Sequence, residues 1–278
     1  MVELPELETI RRELEKEAVG KRFKAPEVTS TKLTKRNGGK KVFQARLEGA
    51  KVKSVDRRGG HLVANLDNGE LLVIHLGDGA HLEKVAPRST APKGTALVLA
   101  FTQGGQIRLV DPAGKTEAFV VEAPALKTEV PEIAAAGLDP VADAVSWTTF
   151  ARLLLGRSVK LKTFLMDPTA VSGIGPVYSD EILWEAGLRH DRISDQLSSQ
   201  EIRRLFRALV ETLHEAVKHH GTSTADVPFV DLYGKAGGYQ DFLKVYGREG
   251  EPCKRCRAPV VKGRYSNKPI YYCEACQV

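Results

Sequence analysis

CKRCRAPVVKGRYSNKPIYYCEAC, residues 253–276, contains all four cysteines of a 278-residue chain. Cys253 and Cys256 form one close pair and Cys273 and Cys276 the other, with sixteen residues between the pairs. Thiolates at this spacing suit one structural Zn2+ held tetrahedrally, each pair supplying one edge of the tetrahedron. Two disulfides are the alternative, disfavoured by the absence of other cysteines and by a reducing compartment. The segment inside alternates as two short strands joined at residues 264–267, which puts basic side chains at the tip of a hairpin. A module this small cannot hold a core unaided, so the metal contributes much of its folding free energy.

Working back from the hairpin, residues 234–252 are glycine-rich and read as a partly mobile connection. Before them runs the clearest helix. Ser198 and Glu201 form a capping box, Ile202, Leu205, Leu209, Leu213 and Val217 mark one face, and Lys218, His219 and His220 precede Gly221. Cations in a last turn complement the helix dipole, so these histidines need no catalytic role. Ser146 caps a shorter helix through Trp147, Phe150 and Leu154, ending near Gly156. Between the two helices lies Val171-Ser-Gly-Ile-Gly175-Pro-Val-Tyr178-Ser-Asp-Glu181. Two glycines ahead of a proline-started helix allow close backbone approach, and N–H groups at a helix start suit a phosphate. An ordinary helix-to-helix turn shows the same pattern.

Residues 124–140 are rich in Pro and Ala and read as a linker. From 46 to 110 the period becomes that of strands, AKVKSV, HLVANL, ELLVIHL, ALVLAF and QIRLV, an antiparallel sandwich or barrel. Pro5–Val19 places Leu7, Ile10 and Leu14 at helical spacing. The expected class is α+β. Four parts are expected: a β domain over 1–122, a linker over 123–144, a helical domain over 145–233, and a glycine-rich loop with the cysteine hairpin over 234–278.

The formal charge of +6 is concentrated. Residues 31–58 hold ten Lys/Arg against two acids, and 248–278 hold seven against three. Two basic islands fit a polyanion such as nucleic acid, or a solubilising face. No apolar run approaches a membrane span, and the charged N-terminus lacks the apolar centre of a secretory signal, so a cytoplasmic, monomeric protein is expected.

The start VELPELETIRR, Phe164-Leu-Met-Asp167 with the glycine-turn helix pair, VYGREGEPC and the cysteine hairpin occur in one order along the chain. Together they resemble the formamidopyrimidine-DNA glycosylase and endonuclease VIII family of base-excision repair enzymes, from residue 2 to the last cysteine. The resemblance implies an N-terminal helix plus β-sandwich, then a helix–two-turn–helix domain ending in a zinc-finger hairpin. It implies an N-terminal amine, uncovered by loss of Met1, as nucleophile on the deoxyribose C1′, with DNA (damaged, abasic or single-stranded) as partner. Carried onto this chain, the catalytic set is Val2, Glu3, Glu6 and Lys268, and the DNA-binding set is Arg57, Arg58, His61, Lys115, Lys162, Gly175, Tyr178 and Arg264.

The chain departs from the family pattern in ways that bear on chemistry. Val2 stands where most members have Pro, although some animal endonuclease VIII-like members also begin with valine. Gly60 replaces the Lys that follows Arg-Arg-x, with His61 beside it. Asp78 replaces the Met of His-Leu-Gly-Met, and Asp-Pro-Arg-Arg-Phe-Gly reads Asp111-Pro-Ala-Gly-Lys115-Thr116. Pro176 replaces an Asn, and Lys268 an Arg, which keeps the charge and loses the bidentate fork. Two function classes follow: a bifunctional glycosylase and abasic-site lyase, or a damaged-DNA-binding protein that keeps the clamp without the chemistry. A zinc-ribbon adaptor with an unrelated β domain leaves the N-terminal match unexplained.

Overall fold

The computed structural model describes residues 2–87, 89–142 and 144–278, which pack as two units, 1–134 with 220–238 and 135–219 with 239–278. In the first unit, α1 (Leu4–Ala18) turns Leu7, Ile10 and Leu14 inward, and Pro5 occupies its first turn. A short α2 (Lys40–Leu47) buries Phe43 and Leu47. The strands are β1 (Glu27–Val28), β2 (Val52–Arg58), β3 (His61–Leu66), β4 (Glu70–His75), β5 (His81–Val85), β6 (Thr95–Ala100), β7 (Gln106–Val110) and β8 (Glu117–Glu122). They form two antiparallel four-stranded sheets, ordered β1-β6-β7-β5 and β2-β3-β4-β8, with one continuous core that includes α1. The α+β class with an antiparallel sandwich is therefore observed. Neither β5 nor β8 is expected from the sequence, because HLEKV and EAFVVE alternate poorly and take their register from β7 and β4.

The sheet β2-β3-β4-β8 is buried on both faces. Val63, Leu71, Val73, Phe119 and Val121 point away from the main core and are covered by Val130 and Ile133. Those two residues belong to single helical turns at Leu126–Glu129 and Pro131–Ala134, inside the stretch expected to be a linker. The Pro- and Ala-rich composition thus marks a cap on a sheet.

Residues 220–238 were expected to close the helical domain and open the glycine-rich connection; they pack instead with the first unit. Acidic residues on one face of α1 hold them. Glu6 Oε1 accepts from Thr222 N at 2.6 Å, Glu13 Oε2 from Leu232 N at 2.8 Å, and Glu17 Oε1 from Tyr233 Oη at 2.8 Å. Positions 6, 13 and 17 share a helix face. Gly221 has φ +80°, and a side chain there would sit 2.7 Å from Glu6 Oε1, so only glycine lets the carboxylate reach the next amide. A Cβ on Gly237 would lie 2.4 Å from the Gly221 carbonyl oxygen, so the two ends of this segment touch.

The second unit contains α3 (Trp147–Leu155), α4 (Leu161–Met166), α5 (Pro176–Ala186) and α6 (Ser199–Lys218), then the hairpin β9 (Val261–Tyr265) and β10 (Lys268–Tyr272). Ser146 Oγ accepts from Thr149 N at 3.2 Å, and Gly156 is the C-cap of α3. Ser198 and Glu201 form the reciprocal capping box of α6. Ser266 and Asn267 both have positive φ, 48° and 63°, the geometry of a two-residue primed turn.

If 126–134 is a structural cap, Ile133→Ala lowers the stability of the first unit by about 2 kcal/mol, the lower end of the range for a buried Ile→Ala. Urea unfolding of the two proteins measures it; a true linker residue would show no change.

Candidate active site and cysteine cluster

The start of α1 is built from its own acids. Glu3 is the N-cap residue, and Glu3 and Glu6 form a reciprocal capping box in which Glu6 Oε2 accepts from Glu3 N at 3.1 Å. Glu3 is 3% exposed and Glu6 4%. The Glu6 carboxylate therefore receives backbone N–H groups from both its own helix start and Thr222. Val2 is partly buried against the core and lines a cavity of about 500 Å3 together with Glu6, Ile10, residues 78–81 and residues 226–230. The wall at 78–81 is braced from outside the cavity: Gly77 N donates to Thr116 Oγ1 at 3.0 Å, and Thr116 N donates to Asp111 Oδ2 at 2.8 Å. Loop 111–116 thus supports the loop that carries Asp78, and Lys115 on it is exposed.

In the second unit Asp180 and Glu181, adjacent on α5, fasten two later segments. Asp180 Oδ1 accepts from Lys162 Nζ at 2.5 Å, while its Oδ2 accepts from Tyr271 N of β10 at 2.9 Å. Glu181 accepts from Lys244 N, Val245 N and Tyr246 N at 2.8, 2.9 and 2.9 Å. Burial pushes the Glu181 carboxyl up, and the three amides offset part of that cost. Trp184 Nε1 donates to Cys253 Sγ at 3.3 Å, and the Arg255 guanidinium lies 4.2 Å over the indole. The four cysteine sulfurs all lie within 4.8 Å of one another. Cys253 and Cys276 are separated by 3.9 Å and Cys256 and Cys273 by 3.5 Å, far beyond a disulfide bond of about 2.0 Å. This is a four-thiol cluster of metal-binding size.

Residues 1–116 match the family model of the formamidopyrimidine-DNA glycosylase N-terminal domain, and residues 136–227 match that of its H2TH domain. The formamidopyrimidine-DNA glycosylase of Geobacillus kaustophilus is 35% identical over 278 residues, covering all of both chains. That of Pelotomaculum thermopropionicum is 32% identical over 277 residues, covering 100% of this chain and 99% of the relative. The chain belongs to the formamidopyrimidine-DNA glycosylase family. Solved structures agree over the whole length. Lactococcus lactis Fpg in complex with DNA containing an abasic site aligns with a TM-score of 0.90 at 28% identity over 99% of each chain. The MutM (Fpg) protein of Thermus thermophilus aligns with 0.87 at 31% identity over 99% of this chain and 98% of its own.

The positions carried over from this glycosylase family are not equally available at the surface. Arg58, Lys115, Arg264 and Lys268 are exposed, the last two on the hairpin. Gly175 is the N-cap of α5, ahead of Pro176, which has no N–H. Lys162 was expected to contact DNA, but it is 2% exposed and bound to Asp180 and to the Pro176 carbonyl at 3.2 Å; its charge is consumed inside the helix pair. Tyr178 is fully buried, so its side chain is a core element of α5. Arg57 is 5% exposed and donates to Glu8 Oε2 at 3.3 Å. The basic island is thinned further, because Arg36 pairs with Glu117 and Arg46 with Glu70.

His61 cannot replace the missing lysine as a cation. Burial, with His75 alongside at a ring separation of 4.8 Å, pushes its pKa down to about 4, so it is neutral near pH 7. His75, which the sequence reading did not single out, is the exposed member of the pair, and its Nδ1 donates to the Gly60 carbonyl at 3.0 Å. Its place on β4 opposite the Gly59–Gly60 turn appears only once the sheet is paired. Thr222 and Glu13 were missed for the same reason: their partners lie more than 200 residues away in sequence.

A histidine whose folded pKa lies below its unfolded value of about 6.5 adds stability that is complete above that value and lost as pH falls toward about 4. Between about pH 7 and about pH 4.5 this chain should lose about 2 kcal/mol more stability than its His61→Leu variant. Urea midpoints at the two pH values measure the difference.

Proposed function

We propose that this chain is a base-excision DNA glycosylase with abasic-site lyase activity, acting through the nitrogen of Val2 after removal of Met1. The observation that carries the reading is the placement of Val2 on the wall of the cavity of about 500 Å3, with Glu3 fixed next to it by the capping box. An α-amino group has a reference pKa of about 7.7–8.0, against about 10.4 for lysine, so much of it is free amine near pH 7. The amine attacks C1′ of the deoxyribose, the C1′–N bond to the base breaks, and the base departs with the electron pair and a proton. Opening of the sugar ring yields an imine between the Val2 nitrogen and C1′. Loss of a proton from C2′ then expels the 3′ phosphate. Glu3 is the proton-transfer carboxylate, and Glu6 positions both Glu3 and the Thr222 turn.

The four sulfurs hold one structural Zn2+. Zn–S bonds of about 2.3 Å give a tetrahedral edge of about 3.8 Å, which the 3.5 and 3.9 Å separations match with little adjustment. Zinc closes the ends of the hairpin that presents Arg264, assigned to DNA binding, and Lys268, assigned to the catalytic set. The Lactococcus lactis Fpg complexes with abasic-site-containing DNA and, for a mutant, with Fapy-dG-containing DNA support damaged or abasic DNA as substrate. A second reading, a lesion-binding protein without chemistry, is favoured by one observation: the Gly59–Gly60 turn carries no ammonium and His61 is neutral.

Borohydride added to the protein with an authentic Val2 terminus and an abasic oligonucleotide should trap one covalent adduct, and an N-terminal tag should abolish it. Tight binding without an adduct would establish the second reading instead. Gly60→Lys should raise strand cleavage at least tenfold. A Cβ at Gly60 meets nothing closer than the His75 ring at 3.5 Å, so the lysine is accommodated without strain.

A further inference from the structure

Away from Val2 and from the cysteines, a carboxylate oxygen of Glu13, one of Asp231 and a ring nitrogen of His220 lie within 4.8 Å of one another. We propose that these three residues form a second metal site, taking a divalent first-row transition ion. They come from separate places: Glu13 from the middle of α1, His220 from the residue that opens the 220–238 segment, and Asp231 from its far limb. Each carboxylate is already oriented by backbone. Glu13 Oε2 accepts from Leu232 N at 2.8 Å, while Asp231 Oδ1 accepts from Tyr233 N at 2.9 Å and Lys235 N at 2.8 Å. Such bonds fix the carboxylates as outer-sphere partners fix metal ligands. Asp231 is 5% exposed.

Glu13 and the buried Asp231 repel when both are ionised, and burial with Asp231 alongside pushes the Glu13 pKa up to about 7; a cation between the two carboxyls would take the place of the proton they otherwise share. The neighbouring imidazole makes the donor set one nitrogen and two oxygens, which suits Mn2+, Co2+, Ni2+ or Zn2+ better than Ca2+ or Mg2+. Metal–ligand bonds of about 2.0–2.2 Å require donors roughly 3 Å apart, a closure that falls mainly to the exposed His220 ring because backbone N–H groups hold both carboxylates. His220 is exposed, so the site has an open side for entry of the ion and for water in the remaining positions.

Glu6 and Glu13 lie seven residues apart on one face of α1, so the ion would tie the 220–238 segment down two turns from the Glu6 contact with Thr222. The site does not depend on the repair reading, because its test measures metal alone.

The full chain, with its cysteine cluster already loaded with zinc and freed of excess metal, is titrated with Mn2+ and the free ion is followed by electron paramagnetic resonance. One bound Mn2+ per chain is expected, with affinity lowered at least tenfold in both Glu13→Gln and His220→Asn. Glutamine keeps the shape of Glu13 and an acceptor oxygen for Leu232 N while removing the ionisable group. Asparagine tolerates the backbone of His220, φ +61°, so both variants retain the fold. Absence of Mn2+ binding to the parent chain overturns the proposal, as does binding that survives either substitution.

Discussion

The carboxylate of Glu6 is the point on which the first unit turns. A buried carboxylate is costly unless several donors face it, and here the donors are backbone amides from the two segments that must meet. One is the N–H of Glu3 at the helix start; the other is the N–H of Thr222. The helix dipole favours negative charge at this end of α1. A single side chain therefore sets the direction in which Val2 leaves the helix and anchors the turn that follows Gly221. Substitution by glutamine would leave one acceptor oxygen where two are used.

The second unit repeats the device with different residues. Asp180 and Glu181 are consecutive on α5, and between them they accept one ammonium and four backbone amides. The hairpin and the turn at 244–246 bury Val245, Tyr246, Ile270 and Tyr271, and hydrogen bonds to one rigid helix hold their backbone in place. Trp184, one turn further along, adds an N–H bond to Cys253. In both units a helix acts as a template whose acidic side chains collect amides from irregular chain.

What could be read from the sequence was whatever is decided by neighbours along the chain. The Ser198 capping box, the Ser146 cap, the hairpin joined within residues 264–267 and the cysteine spacing are local, and all are present. Five of the eight described sandwich strands carry enough alternation to be recognised, whereas β1, β5 and β8 owe their identity to the strands beside them. The Pro/Ala-rich stretch reads as a linker because nothing in it announces that Val130 and Ile133 will find a sheet face. Lys162 reads as a phosphate ligand until Asp180 is placed against it, since a lysine's partner on another helix leaves no trace in its own flanks. Glu13 and Glu17 show the opposite case: their spacing from Glu6 was visible, but its meaning depended on a segment returning from the far end of the chain.

The contact between Gly221 and Gly237 closes residues 222–236 like a drawstring. Because the ends are clasped independently of what lies between them, the interior can lengthen or shorten with little thermodynamic penalty; doubling a loop costs only about 0.6 kcal/mol in closure entropy. Insertion or exchange can thus rewrite this part of the cavity wall while the helix start that carries Val2 stays untouched. The outline of the cavity and the setting of Val2 are thus assigned to separable stretches of polypeptide.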